Sequence, residues 1–331
     1  LPDPGRLLQV ADGVYWLRMP LPFALDHINL WLLRDGDGWI IVDAGFGSDT
    51  TKRLWEQIFA DHFAGRAVKR IIVTHLHPDH LGLAAWLAER FGVDVWMTQS
   101  EFLLGHAVWA AQGGDLVARL SNLYRRHGLD DERAATVGGR AGSYRRGVPA
   151  LPSSFRRIIG GDDIIIDDRA WRVIVGHGHS PEHAALYCET LGVMISGDMV
   201  LPKITTNVSV APLEPDGNPL RMFLDSLTRF AGLPEDTLVL PSHGLVFHGL
   251  HPRLEQLRQH HAERFEIVMD ACKEPRSAAE LLPYLFNREF DAHQLSFAMG
   301  ESVAHLNFLM HTKQLQRLDD GDRYRFVRSD A

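Results

Sequence analysis

The chain has 331 residues, 45% hydrophobic and 23% charged, with a net charge of −8, enough to bury a sizeable core as one large domain plus a small one, or as two of medium size. A negative balance excludes the diffuse attraction on which nonspecific binding to nucleic acid or anionic membrane rests. No apolar run approaches the roughly 18 residues of a membrane span, and the start Leu1-Pro2-Asp3-Pro4-Gly5 lacks a basic-then-apolar signal pattern, so the expectation is a soluble chain acting on a small-molecule substrate, without nucleic acid or membrane as partner.

β-rich runs come first: 14–17, then 28–33, joined through Asp35-Gly36-Asp37-Gly38 to 39–42 in a hairpin that ends at Asp43-Ala44-Gly45. Helical periodicity over 50–62 precedes an apolar strand at 71–73, a helix over 79–91 and a strand at 93–97. Residues 99–128 predict two amphipathic helices. The next stretch, 129–157, is rich in Gly, Ala and Arg without periodicity and predicts a loop or lid, so 99–157 interrupts the β/α rhythm as an insertion. Strands return at 164–166, 171–175, 184–188, 193–196 and 237–240, with a helix over 220–230. Beyond Gly249, helices at 252–271, 277–286 and 292–311 and a hairpin around Asp319-Asp320-Gly321-Asp322 suggest a small winged-helix-like module, which divides the chain into 1–250 and 251–331. The module's balanced charge predicts packing or a homodimer contact rather than nucleic-acid binding. Two cysteines, Cys188 and Cys272, are too few for a disulfide framework or a thiolate-rich zinc site and fit a reducing cytoplasm.

Histidine is the unusual component, at 18 copies. Thr74-His75-Leu76-His77-Pro78-Asp79-His80 follows a buried-type strand and precedes a helix, so four donors leave the sheet edge together. His75 and His77, two apart in an extended stretch, point the same way, while Asp79 and His80 at the turn into the helix face a neighbouring point. Divalent metals such as zinc take imidazole nitrogens and carboxylate oxygens, and a catalytic site keeps one position open for water. Three later loops each put a donor beside small residues that let the backbone turn sharply: Gly178-His179-Ser180-Pro181-Glu182-His183, Ser196-Gly197-Asp198 and Pro241-Ser242-His243-Gly244.

With Asp43 in Ile41-Val42-Asp43-Ala44-Gly45, the order and spacing of these motifs resemble the metallo-β-lactamase superfamily over residues 10–250. The resemblance implies an α/β fold, an αββα sandwich with the active site at one edge, followed by the small C-terminal helical module. It implies that His75, His77 and His179 hold one metal, Asp79, His80 and His243 a second, and that Asp198 bridges both. Asp43 would orient a ligand from outside without touching metal. Two divalent ions, zinc first, with iron or manganese as alternatives, would activate a shared water and polarise the attacked carbonyl or phosphoryl oxygen. Asp79 and Asp198 are then catalytic as well as ligating, Asp79 by guiding the water or passing a proton to the leaving group. No protein nucleophile is needed, and the sequence has neither a Gly-x-Ser-x-Gly elbow nor a cysteine inside the histidine motifs.

An acid at position 198 speaks against antibiotic β-lactamases, in which the resemblance places Cys, Ser or another residue there. Glyoxalase II-like thioesterases, lactonases and nucleases remain. The segment from Phe297 to Leu309 resembles the winged-helix extension of the lactamase-beta-2-like branch. His177 departs from the pattern, standing where relatives often have proline, and rivals His179 as a ligand; His179 is preferred. His183 is expected beside the site or in packing, His260 and His261 on a solvated helix face, and His305 in the core. Leu201 stands where acyl-homoserine lactonases carry a catalytic tyrosine, and no long nuclease-type insertion separates Asp198 from His243. Phe102, Leu103, Leu104, Val108 and Trp109, with Leu201, Pro202 and Ile204, either line an acyl-binding mouth or pack as core. Arg140, Arg145, Arg146, Arg156 and Arg157 are the one dense basic group, suited to a carboxylate or a carrier phosphate if not simply solvated. The expected function is metal-dependent hydrolysis of a small thioester, ester or lactone; the alternative is an endoribonuclease-like phosphodiesterase that binds through the C-terminal module.

Overall fold

The computed structural model describes residues 1–111, 114–141 and 143–329. One sheet runs in chain order through β1 (Leu8–Ala11), β2 (Val14–Pro20), β3 (His27–Asp35), β4 (Gly38–Val42), β5 (Val68–Ile72), β6 (Val95–Met97) and β7 (Arg156–Arg157). The second contains β8 (Asp163–Ile166), β9 (Arg169–Gly176), β10 (His183–Cys188), β11 (Val193–Gly197) and β12 (Leu238–Pro241), in the order β12-β11-β10-β9-β8. Pairing is parallel from β4 through β7 and between β11 and β12, and antiparallel elsewhere.

Period-two alternation builds the layers. On β3 and β4, Trp31, Leu33, Ile40 and Val42 point between the sheets and meet Trp171, Val173, Leu186 and Ile195 of the second sheet. Leu30, Leu32, Trp39 and Ile41 point the other way, onto Trp55 and Ile58 of α1 (Asp49–Ile58) and, past the single turn α2 (Pro78–Leu81), Leu87 of α3 (Ala84–Phe91). Between β6 and β7 lie α4 (Gln99–Ala110), α5 (Gly114–Arg126), α6 (Asp131–Ala141) and α7 (Tyr144–Gly147). The outer face of the second sheet is covered by α8 (Pro219–Phe230), with α9 (Leu250–Ala271), α10 (Ala278–Leu285) and α11 (Ala292–His311) in the same core. A hairpin of β13 (Leu315–Asp319) and β14 (Tyr324–Arg328) follows. The αββα sandwich is therefore the observed architecture, and no helix among the described residues is long and apolar enough to cross a membrane.

Three expectations need correction. The helix over 79–91 is two helices parted at Gly82 and Leu83, and Gly82 packs so tightly there that a Cβ would lie 2.4 Å from the carbonyl oxygens of Gly45 and Pro78. The 129–157 stretch is not a loose lid. It contains α6, whose Gly138 lies against α5 so closely that a Cβ would overlap Ser121; the glycine reflects helix contact rather than a break. Leu123, Val137, Phe223 and Val303 share one core, so insertion and C-terminal helices pack together. His261 is not solvated: the stripe Leu250, Leu254, Leu257, His261 is the buried face of α9. Its Nδ1 lies 3.2 Å from Nε2 of His305, which is a core residue as expected. His260 is half-buried beside Glu301.

Burial pushes His127 down to about 3 and His261 down to about 2, with neighbouring cations and imidazoles adding to the effect. Both are neutral when folded and free to take a proton when unfolded. Their stabilisation is complete above the unfolded value near 6.5 and is lost as pH falls, since the unfolded chain then binds more protons. His127 lies between Tyr324 and Phe326, so His127→Phe suits its packing. The variant's stability, read from urea midpoints between pH 6.5 and 4, should decline less steeply than wild type by about 1.4 kcal/mol per pH unit; parallel curves would show that this ring is not held neutral.

Candidate metal centre

Seven donors leave strand ends at one edge of the sandwich. His75, His77, Asp79 and His80 follow β5, His179 lies between β9 and β10, Asp198 follows β11 and His243 follows β12. Two cross-sheet ties hold that edge closed. Ala184 N donates to Thr74 O at 2.9 Å, and buried Asn29 donates through Nδ2 to the carbonyls of Pro241 and Gly244, either side of His243.

The donors gather in two groups. His75, His77, His179 and Asp198 form one; Asp79, His80 and His243 form the other. His75 Nε2 lies 2.9 Å from His77 Nδ1 and 3.2 Å from His179 Nε2. Asp198 joins the groups, with Oδ2 3.3 Å from His179 Nε2 and Oδ1 3.6 Å from His80 Nε2 and 3.5 Å from His243 Nε2. Asp79 Oδ2 is 3.5 Å from His243 Nε2.

Outer partners determine which nitrogen faces inward. Thr74 Oγ1 gives its proton to Asp43, so it accepts from His75 Nδ1 at 3.0 Å. His80 Nδ1 donates to Asp43 Oδ2 at 2.7 Å, His179 Nδ1 to Asn207 O at 2.8 Å and His243 Nδ1 to His27 O at 2.9 Å. Each of these four rings therefore turns Nε2, the nitrogen left free to ligate, to the centre. Asp43, at φ 63°, anchors both Thr74 and His80, the role expected of it. Among the described residues His80 Nε2 and Asp198 Oδ1 are buried without a hydrogen-bond partner, and nitrogens converging around a carboxylate fit a divalent cation, which takes such donors directly.

The electrostatics agree. Burial holds His75 and His77 well below the usual histidine range, and the surrounding imidazoles lower them further, so both offer lone pairs. Burial also opposes charge on His80, but Asp43, Asp79 and Asp198 together raise its pKa well above the usual value. Burial resists ionisation of Asp198, but His243 and His80 reverse that and hold it well below the carboxylate range. Positive charge is thus favoured beside Asp198.

The family model described as the metallo-beta-lactamase superfamily matches residues 24–243, and one described as the metallo-beta-lactamase-like C-terminal domain matches 265–329. The chain belongs to the metallo-β-lactamase superfamily. It is therefore a hydrolase-type fold with a His/Asp metal-binding cluster. Among curated relatives it is 26% identical to the probable metallo-hydrolase YqjP of Bacillus subtilis, over 90% of this chain and 92% of that one. It is 29% identical to a hydroxyacylglutathione hydrolase of Rhodobacter capsulatus (68% and 64% covered) and 25% identical to the human acyl-coenzyme A thioesterase MBLAC2 (58% and 64%). A β-lactamase domain protein from Burkholderia ambifaria superposes with TM-score 0.91 at 49% identity, covering 99% of this chain and 95% of that one. A metallo-β-lactamase family protein from Thermus thermophilus gives 0.81 at 29%, covering 97% and 100%.

Within this superfamily member the rival ligand His177 is engaged elsewhere, its Nδ1 on Pro181 O at 2.6 Å and its Nε2 beside Arg229. His183 sits under the centre, where its Nε2 accepts from Asp198 N at 3.1 Å; burial pushes it down to about 3, so the acceptor stays neutral. Phe102 stacks on Phe155, and Leu104, Val108 and Trp109 are partly buried against the first sheet's outer core, so these insertion residues are packing rather than mouth; Leu103 is exposed. Leu201 is buried, Ile204 exposed. Arg145 lies over Trp109 and Arg156 over Trp96, while the Arg140 side chain is outside the described residues.

Glu101 is the residue that sequence reasoning missed. Fully buried at the start of α4, it accepts from Leu76 N at 2.9 Å through Oε2, and from Ser180 Oγ at 2.6 Å and Glu182 N at 2.7 Å through Oε1. It therefore ties the His75–His77 loop to the His179 loop, while Tyr144 OH donates to Leu76 O at 2.6 Å. Its one signal was a charge immediately before the apolar run Phe102-Leu103-Leu104. Glu101→Gln leaves one side of this tie with a donor facing a donor and should weaken metal affinity by roughly 10–100-fold, the usual effect of removing an outer partner. Chelator competition measures it; unchanged affinity would remove Glu101 from the site.

Proposed function

We propose that this chain is a dinuclear metal-dependent hydrolase of small acyl substrates, thioesters foremost, with esters and lactones behind. One observation carries the reading: a single carboxylate, Asp198, turns Oδ2 to His179 and Oδ1 to His80 and His243, and so faces both donor groups at once. Zinc suits the donor set best, with iron or manganese as substitutes. When bound, two such ions supply an activated water and a Lewis-acidic contact for the attacked oxygen.

The protein does the remaining work. His75, His80, His179 and His243 are held with fixed tautomers, so no ring has to turn during a catalytic cycle. Asp79 is the more accessible acid, its side chain 19% exposed against 10% for Asp198. That position lets it orient entering water and hand a proton to the leaving group.

The substrate class rests on the surroundings. Relatives named for hydroxyacylglutathione and acyl-coenzyme A hydrolysis both act on thioesters. An aromatic row supports an acyl group: Phe46, beside Pro78 of the ligand loop, meets Phe23 edge-on at 5.6 Å, Phe23 meets His293 at 5.0 Å, and His293 meets Phe297 of α11 at 4.8 Å. Phe23 and Phe297 keep 37% and 46% of their surface exposed, enough to cover an apolar chain. The net charge of −8 disfavours a polyanionic phosphate backbone. The C-terminal helices turn Leu281, Leu282 and Leu285 into the shared core, in keeping with a packing role for that module.

Elemental analysis should find close to two transition-metal ions per chain, and Asp198→Ala should cost more activity than His243→Ala because it serves both ions. Over acyl thioesters of increasing length kcat/KM should rise, and Phe23→Ala should erase about tenfold of that gain, the order of partial phenyl burial. Protein that takes up no metal on reconstitution would sink the site, and turnover of bis-(p-nitrophenyl) phosphate exceeding every carbonyl substrate by orders of magnitude would make the phosphodiesterase reading the better one.

A further inference from the structure

Segment 201–207 connects the loop of Asp198 to the rest of the site, yet it belongs to no helix or strand, and among the described residues it makes no backbone-to-backbone hydrogen bond. Its path nonetheless matters. Thr206 Oγ1 donates to Asp198 O at 2.7 Å, and Asn207 O receives the Nδ1 proton of His179 at 2.8 Å. Pro202 packs against Gly244, next to His243, so closely that a Cβ there would lie 2.7 Å from its ring.

What fixes this segment comes from the C-terminal helices. Arg253, on the buried stripe of α9 and only 9% exposed, donates through Nε to Leu201 O at 2.6 Å and through Nη2 to Ile204 O at 2.7 Å and Lys203 O at 3.2 Å. Its Nη1 donates to Gln256 Oε1 at 3.1 Å. Among the described residues no carboxylate pairs with it. A buried guanidinium without an acid is costly unless its protons are satisfied, and here three carbonyls of one irregular segment satisfy them. A planar fork can hold several acceptors at fixed angles, which an ammonium cannot do.

We infer that Arg253 is a positioning residue for the metal centre: by gathering the carbonyls of Leu201, Lys203 and Ile204 it sets the path of 201–207, and through Thr206 and Asn207 that path orients Asp198 and His179. The inference rests on reading those two residues as metal ligands. It gives the C-terminal module a part in the chemistry, since α9 reaches the centre through one side chain.

The test uses the full-length protein and zinc, with affinity read by competition against a chromophoric chelator and folding by the cooperativity of urea unfolding. Arg253→Lys keeps charge and loses the fork; Thr206→Val cuts the link at its far end without touching the core of α9. Both should stay folded and bind zinc more weakly, Arg253→Lys by roughly 10–100-fold and Thr206→Val by less. In Arg253→Ala, millimolar methylguanidinium should restore part of the affinity. Wild-type affinity in both folded variants would overturn the inference while leaving the metal centre intact. A wild-type protein that binds no zinc would overturn both. Lower unfolding midpoints with unchanged zinc affinity would also reject it, because a purely structural arginine gives that result.

Discussion

Four imidazoles whose outer N–H groups are already committed define this molecule. Thr74, Asp43, Asn207 and His27 each accept one Nδ1 proton, so the opposite nitrogens face one another around Asp198. The Nε2 atoms of His75 and His179, 3.2 Å apart in a buried edge with both Nδ1 protons committed outward, repel unless positive charge lies among them. The sandwich is what forces them together, because the rings hang from three strand ends, His75 and His80 after β5, His179 after β9 and His243 after β12.

That constraint explains why charged residues lie where packing alone would put apolar ones. Glu101 and Arg253 are both buried, and both bind backbone atoms of irregular segments that carry donors. Loops that end strands lack a ladder of their own and need outside partners for their polar backbone. The insertion supplies an acid for the loops of His75 and His179; the C-terminal helices supply a base for the segment after Asp198. Appendages to the sandwich thus brace its active edge.

The donors and much of the scaffold were legible in the sequence because their information is local. His-x-His-x-Asp-His lies within six residues, and the alternation of 28–33 and 39–42 declares two-sided strands directly. Asp43 was recognisable only through the pattern it shares with the superfamily. Glu101 and Arg253 were not visible as functional residues, since their partners are backbone atoms distant in sequence, and a lone charge on a helix ordinarily faces water. Arg253 did leave a trace: Leu250, Arg253, Leu254 and Leu257 share one helical face, which puts an arginine inside an apolar stripe. The same periodicity would have placed His261 in the core. α6 was hidden by Gly138 and Gly139, which weaken helix propensity; contact with α5 accounts for Gly138.

The central claim is that one carboxylate separates two cation sites. Crystals of metal-reconstituted protein, measured on either side of the absorption edge of the added metal, test it directly. The account predicts two anomalous peaks flanking Asp198, one among His75, His77 and His179 and the other among Asp79, His80 and His243. A single peak, or peaks held by His177 or by residues away from Asp198, would contradict it.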